Sequence, residues 1–236
     1  MGCVPIRNKN WLSPEQLHLF TRLTETRHLI VFPWLLAAVK ERAPQSLLDF
    51  GAGDGRLLFL LRENFDFELW YYDPSQDFQS LAGRTLRDRR VQFVDTADEL
   101  PTAYFDLVVS IAVWMTIPTH SECVAYLRHQ YRMLKPGGRS LIVVTHPCFR
   151  EEKYSSFHTG FNNIRYLESG TSFETVIQND AAALHFVDYH WNLGAMIRQA
   201  EEAGFCVAQI TEFPDIPDGN QRGCPWLCWE FQKVLT

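Results

Sequence analysis

Several things are scarce in this chain, and each shortage closes off a class of function. No apolar run reaches the roughly 18 residues that a membrane-spanning helix needs, and the first residues lack the apolar core of a secretory leader. Basic residues are outnumbered, 22 Lys and Arg against 28 Asp and Glu, giving a formal net charge of −6. That balance argues against sequence-independent binding of nucleic acid, which relies on a basic surface to neutralise phosphates. The one dense basic cluster, Arg84, Arg87, Arg89 and Arg90, reads as a solvated helix end. The six cysteines, Cys3, Cys123, Cys148, Cys206, Cys224 and Cys228, are too scattered for a disulfide scaffold. Cys224 and Cys228 have no second Cys/His pair nearby to complete a zinc site, so no metal is expected. Met1-Gly2-Cys3 opens like a lipidation signal, but Ile6 stands where the myristoylation pattern takes Ser or Thr. Internal repeats and low-complexity linkers are missing too. The expectation is a soluble, cytoplasmic protein, its 236 residues (46% hydrophobic) forming one domain with a full core.

What is there is organised around glycine. In Leu47-Leu48-Asp49-Phe50-Gly51-Ala52-Gly53-Asp54-Gly55 a short apolar run turns into alternating glycines, and the apolar stretch 57–61 follows. This reads as a buried strand, a tight turn and a helix, because glycine takes positive φ and lets backbone N–H groups approach a ligand. Beyond it, short apolar runs alternate with helical periodicity, as a parallel α/β sheet requires. Strands are expected at 46–50, 68–72, 91–94, 105–110 and 140–145. Ser13-Pro14-Glu15-Gln16 has the marks of a helix start. A second helix is suggested by the apolar run from Leu29 to Val39, with Pro33 inside it; if it starts near Pro33, then Trp34, Leu35, Ala38 and Val39 share one face. Thr119-His120-Ser121-Glu122 is a capping box, followed by Val124, Leu127, Tyr131 and Leu134 on one helical face, and Pro136-Gly137-Gly138 marks the stop. Residues 147–190 show no regular period and are too long for an ordinary connection; rich in Phe and Tyr, they read as an irregular packed lid. A helix stopped by Gly204 then leads to two strand-like runs, 205–213 and 226–234, forming a reverse hairpin.

In a doubly wound sheet, ligands sit beyond the C-terminal ends of the strands, where the first strand–helix turn lies. Arg56 holds the place of the third glycine in the GxGxxG dinucleotide pattern, which favours a nucleoside without a pyrophosphate. Asp73 ends the apolar run Leu69-Trp70-Tyr71-Tyr72 and can accept hydrogen bonds from both hydroxyls of a ribose, or it only starts the Asp73-Pro74 turn. Asp95 follows Val91-Gln92-Phe93-Val94 and competes with a reading as an exposed turn residue.

Together with Tyr104-Phe105-Asp106-Leu107-Val108-Val109-Ser110 and Arg132-Met133-Leu134-Lys135-Pro136-Gly137-Gly138, these segments resemble class I S-adenosylmethionine-dependent methyltransferases. The resemblance is close over 45–145 and looser over 190–234. His146-Pro147-Cys148-Phe149 is similar to a segment after the fifth strand in a small-molecule, natural-product-type subset. His190-Trp191-Asn192-Leu193 keeps the His and Leu of that subset's His-Arg-Pro-Leu segment but not its Arg and Pro, which leaves the acceptor open. The resemblance implies a doubly wound, seven-stranded, mostly parallel Rossmann-like sheet, its last strand antiparallel, with helices on both faces. The single domain then divides into a helical cap (1–45), a cofactor-binding core (46–146), a substrate lid (147–190) and a C-terminal helix and hairpin (191–236). The implied cofactor is S-adenosyl-L-methionine and the product S-adenosyl-L-homocysteine. Around it the resemblance places Asp49, Gly51, Ala52, Gly53, Asp73, Pro74, Asp95, Thr96, Ser110 and Ile111, with Asp49 toward the methionine end and Asp95 at the adenine amino group.

Methyl transfer from a sulfonium is an in-line displacement, so positioning and exclusion of water can supply much of the catalysis. A hydroxyl or ammonium nucleophile is helped by a base. His146 and His190 are the candidates, each against a reading as a hydrogen-bonded structural histidine. Trp114, Phe149, Tyr154 and Tyr189 are expected to line an aromatic acceptor pocket. The leading function is transfer to O or N, with C a further option, of a small organic acceptor. The alternatives are a scaffold repurposed for non-methylating chemistry or as a partner subunit, and an RNA methyltransferase. Against the last, Ser110-Ile111-Ala112-Val113 carries no Asn/Asp-Pro-Pro-aromatic motif.

Overall fold

The computed structural model describes residues 25–87, 89–154, 157–179, 182–215 and 223–234. The helix start read at Ser13-Pro14 lies outside them. In chain order the first half comprises α1 (Glu25–Arg42), β1 (Ser46–Phe50), α2 (Arg56–Asn64), β2 (Glu68–Tyr72), α3 (Gln76–Thr85), β3 (Val91–Val94) and β4 (Phe105–Ile111). The second half comprises α4 (His120–Met133), β5 (Leu134–Thr145), β6 (Phe157–Thr159), β7 (Ser172–Asn179), β8 (Ala182–Tyr189), α5 (Leu193–Glu202), β9 (Phe205–Phe213) and β10 (Trp226–Lys233). No helix among the described residues is long and apolar enough to cross a membrane.

The main sheet has seven strands in the order β3-β2-β1-β4-β5-β10-β9. β10 runs antiparallel to both neighbours and the other six are parallel. β1 is buried at every position, as a central parallel strand covered on both faces must be. The switch point falls between β1 and β4, since the chain leaves β1 in one direction and returns on its other side.

Local signals explain most element ends. The Thr119 hydroxyl accepts from the Glu122 N–H at 3.3 Å and opens α4; Asn192 Oδ1 accepts from the Ala195 N–H at 2.8 Å and opens α5. Three expectations need correction. α1 runs through Pro33 instead of starting there. Pro33 and Leu29, four residues before it, are both exposed, so the carbonyl deprived of its N–H partner lies on a wet face. β5 starts at Leu134, not at 140: an irregular register carries pairing from Phe105↔Leu134 to Leu107↔Arg139 past the Pro-Gly-Gly segment. The 147–190 segment is not irregular throughout, because β6, β7 and β8 form a separate antiparallel sheet.

One ion-pair network ties α1 to the far side of the sheet. Glu230 on β10 is buried, with Arg42 Nη2 2.6 Å from Oε2 and Arg139 bonded to Oε1. Burial would raise that carboxyl, but the two guanidiniums hold it below the ordinary range.

Candidate functional site

The glycine turn sits at the C-terminal end of β1. Gly51 has φ +86°, and a Cβ there would run into the Val113 side chain, so both backbone and space require glycine. The N–H groups of Gly51 and Ala52 donate to the Tyr72 carbonyl at 2.8 and 3.0 Å, fastening the turn to the end of β2. Gly53 is held from both sides. Its N–H donates to Asp73 Oδ2 at 2.9 Å, and its carbonyl accepts from the Tyr71 hydroxyl at 2.8 Å. Tyr71 had been read only as part of an apolar run. The available signal was its place two residues before Asp73, on the same face of a strand.

Three acids gather here. Asp73 is buried, and its Oδ1 accepts the Ser75 N–H at 2.9 Å. Burial pushes its carboxyl up to about 6, against the lowering effect of the Ser75 and Gly53 N–H groups. Asp49 is 2% exposed, and its carboxylate has no hydrogen-bond partner among the described residues. Burial raises it well above the ordinary carboxylate range, and the charges of Asp73 and Asp54 add to the rise. Among the described residues the cluster's one ion pair is Arg56 Nε with Asp54 Oδ2, at 3.6 Å.

The remaining cofactor candidates follow the same rim of strand ends. Pro74, after β2, is exposed, as are Asp95 and Thr96 after β3; Ala52 and Ile111 are half-buried. The Thr96 hydroxyl donates to Glu99 Oε1 at 2.9 Å, and the Asp95 N–H points to Glu99 Oε2 at 3.4 Å. Ser110 departs from expectation. It is fully buried, its hydroxyl donating to the Phe50 carbonyl at 2.6 Å and accepting from the Tyr126 hydroxyl at 2.7 Å. That side chain joins β4, β1 and α4, its hydroxyl engaged as donor and acceptor within the fold.

The two histidines also depart from expectation. His146 Nδ1 accepts the Cys148 N–H at 3.1 Å, which leaves the proton on Nε2, 2.8 Å from Glu212 Oε1. His190 Nδ1 accepts from Arg150 Nε at 3.2 Å, and its Nε2 donates to the Tyr166 carbonyl at 2.7 Å. Burial lowers both imidazoles below their ordinary value. Each ring is neutral with both nitrogens engaged, so neither presents a lone pair to an acceptor in this arrangement.

Trp114 is core, not pocket wall. It is fully buried, its indole N–H donates to Gln199 Oε1 at 2.9 Å, and its ring packs against Trp229 and Phe231. Phe149 is half-buried, its ring centroid 4.7 Å from that of His146, and its carbonyl accepts from the Tyr154 hydroxyl at 2.9 Å. Tyr189, half-buried, packs on the core at the end of β8. A recess of about 420 Å³ lined by Arg62, Glu68, Arg90 and Gln92 lies at the opposite rim, near the start of β2 and β3, away from all of these groups.

This sheet order, with a glycine turn and acids on the C-terminal rim, is the Rossmann-like fold of class I S-adenosylmethionine-dependent methyltransferases. Residues 21–210 match the family described as "Methyltransferase domain", and the chain belongs to that family. It is 24% identical over 179 residues to N-demethylindolmycin N-methyltransferase of Streptomyces griseus, covering 72% of this chain and 73% of that one. An S-adenosylmethionine-dependent methyltransferase of Mesorhizobium loti superposes with a TM-score of 0.60 at 18% identity, over 83% of this chain and 96% of that one. The 1,6-didemethyltoxoflavin-N1-methyltransferase of Burkholderia thailandensis, solved with 1,6-didemethyltoxoflavin and S-adenosylhomocysteine bound, gives a TM-score of 0.58 at 20% identity, over 92% and 81%.

Proposed function

We propose that this protein takes a methyl group from S-adenosyl-L-methionine and delivers it to a nitrogen or oxygen of a small organic acceptor. The observation that carries the reading is the acid cluster at the glycine turn. Asp49 and Asp73 are buried carboxylates whose ionisation burial opposes, and a cation seated beside them relieves that cost. S-adenosylmethionine supplies a methyl group on a positively charged sulfur, along with an ammonium and a ribose diol. The residues present fit such a group. Asp49 takes the cationic methionine end. Asp73, fixed by two backbone N–H groups, keeps a lone pair on each oxygen for the ribose hydroxyls. The bare backbone of Gly51 and Gly53 allows close approach, and Asp95 with the Thr96 backbone serves the adenine amino group, flanked by Ala52, Pro74 and Ile111. The same acids favour the charged cofactor over S-adenosyl-L-homocysteine, whose sulfur is neutral.

Transfer to nitrogen is supported by two relatives that are named as N-methyltransferases. With the ring nitrogens of His146 and His190 engaged, the chain contributes placement and exclusion of water. The test is incubation with methyl-tritiated S-adenosylmethionine and a panel of small heteroaromatic amines, phenols and carboxylates. Label passing to at least one compound with the wild type, and to none with Asp73→Ala, supports the reading. Cofactor binding with no label transferred across the panel turns it toward a repurposed scaffold.

A further inference from the structure

Arg150 is a buried charge among the described residues. It lies just beyond β5, 4% exposed, with no carboxylate within ion-pair distance among the described residues. Its Nε donates to His190 Nδ1 at 3.2 Å and its Nη1 to Thr145 Oγ1 at 2.9 Å, both neutral acceptors. The guanidinium carbon stands 4.6 Å from the centroid of the Phe173 ring. The nearest balancing acid, Asp188 on β8, is itself buried and takes its hydrogen bond from the Thr175 hydroxyl at 2.7 Å. Nη2 therefore has no partner among the described residues. It is also not one of the sealed, unpaired polar atoms, which are Nε of Arg42 and Arg62, Nε2 of Gln130 and Gln199, and Nε1 of Trp229. Nη2 therefore keeps a small contact with solvent.

A buried guanidinium without a carboxylate is costly, and the cost is met when an anion completes the fork. Arg presents a planar pair of donors suited to a planar oxygen group. Here the fork is held rigid: His190 and Thr145 fix two of its nitrogens and Phe173 fixes its plane. Thr145 ends β5, which pairs with β4 where Ile111 meets Val143, so the fork stands on the same rim as the glycine turn.

We propose that Arg150 is the acceptor-recognition residue, its Nη2 binding a planar anionic oxygen group, of which a carboxylate is the simplest, on the small molecule to be methylated. This deepens the methyltransferase reading and rests on it for the role of the bound molecule. His190 thereby acquires a function: it positions Arg150 through Nδ1 and is not itself a base. Asp188 offsets the arginine charge without occupying the fork.

The probes are indole-3-acetate and the isosteric neutral indole-3-acetamide, titrated by calorimetry with and without saturating S-adenosylhomocysteine. Wild type is expected to bind the carboxylate about tenfold more tightly or better, the ratio one charge-assisted contact gives. Arg150→Met is expected to erase that preference while still binding S-adenosylhomocysteine. If Arg150→Met does not fold, Arg150→Lys, which keeps the charge and loses the fork, is expected to cut the preference without abolishing it. A purely structural arginine would lower Tm on substitution and leave the wild type with no preference. Equal affinity of wild type for the two probes, or an undiminished preference in the variants, overturns the proposal. Wild-type preference without any S-adenosylhomocysteine binding would instead leave the anion site standing and remove the cofactor reading beneath it.

Discussion

Asp73 gives the sharpest quantitative handle on the acid cluster. Burial raises its carboxyl from an ordinary 3.8 to about 6 in the folded chain. Between those values the folded state holds a proton that the unfolded state has released. The stability this contributes is complete below the unfolded value of 3.8 and is lost as pH rises through about 6. At about 1.4 kcal/mol per pKa unit, the rise amounts to about 3 kcal/mol. In a domain of this size that is a Tm change of about 6–12 °C. Other groups act in the opposite sense. His146 and His190, buried neutral, cost stability as pH falls through 6.5. Asp106 and Glu230, where burial is outweighed by Lys135 and by Arg42 and Arg139, lose their contribution only in stronger acid. The quantity to measure is therefore the difference in urea-unfolding free energy between wild type and Asp73→Asn, in which the contributions of His146, His190, Asp106 and Glu230 cancel, while the coupling of Asp49 to the Asp73 charge is counted with Asp73. That difference is expected to move by about 2.4 kcal/mol against the wild type between about pH 4 and about pH 7, most of the full swing. Parallel stability curves across that range would refute the reasoning.

Gly51→Ala is expected to cost about 2–5 kcal/mol in urea unfolding, from a left-handed φ plus displacement of Val113; a loss below about 1 kcal/mol would show that the turn relaxes freely. Gln199→Leu strands the buried Trp114 indole N–H and is expected to lower stability by about 1–3 kcal/mol, with S-adenosylhomocysteine affinity unchanged. A change in affinity instead would return Trp114 to the site. ¹⁵N NMR of the imidazoles is expected to show His146 and His190 neutral at pH 7 with the proton on Nε2; an imidazolium signal from either would contradict their hydrogen-bond assignments.

What was legible in the sequence had one physical cause behind it. β1, β2 and β4 are short apolar runs because parallel strands inside the sheet are covered on both faces, whereas β3 at the edge is partly exposed; the glycines, Asp73 and Asp95 stand at the strand ends because that rim is where the chain turns. The capping box at Thr119 was equally plain. The lid sheet was hidden because its inward positions are partly polar. Thr175 and Asp188, diagonal neighbours across β7 and β8, are buried and joined by a hydrogen bond, which breaks the apolar alternation that would have marked these strands. β5 was read too short because a Pro-Gly-Gly segment signals a turn, and only tertiary pairing with β4 draws it into the sheet. Which of the two readings of the histidines holds was not legible for a related reason. Residue type and position near the rim are visible in sequence, but whether the ring nitrogens are already engaged depends on Glu212, Arg150, the Cys148 N–H and the Tyr166 carbonyl. Arg150 carries no motif and became visible only through its missing ion pair.

The central claim is that Asp49 is kept buried and unpaired for a cationic cofactor, and calorimetric titration of wild type and Asp49→Asn with S-adenosylmethionine tests it most directly. The account predicts micromolar binding to wild type and a loss of about tenfold or more in the variant, smaller for S-adenosylhomocysteine, with a ligand-free variant at least as stable as wild type because a buried charge has been removed. No binding to folded wild type, or an Asp49→Asn variant that binds S-adenosylmethionine unchanged, would contradict it.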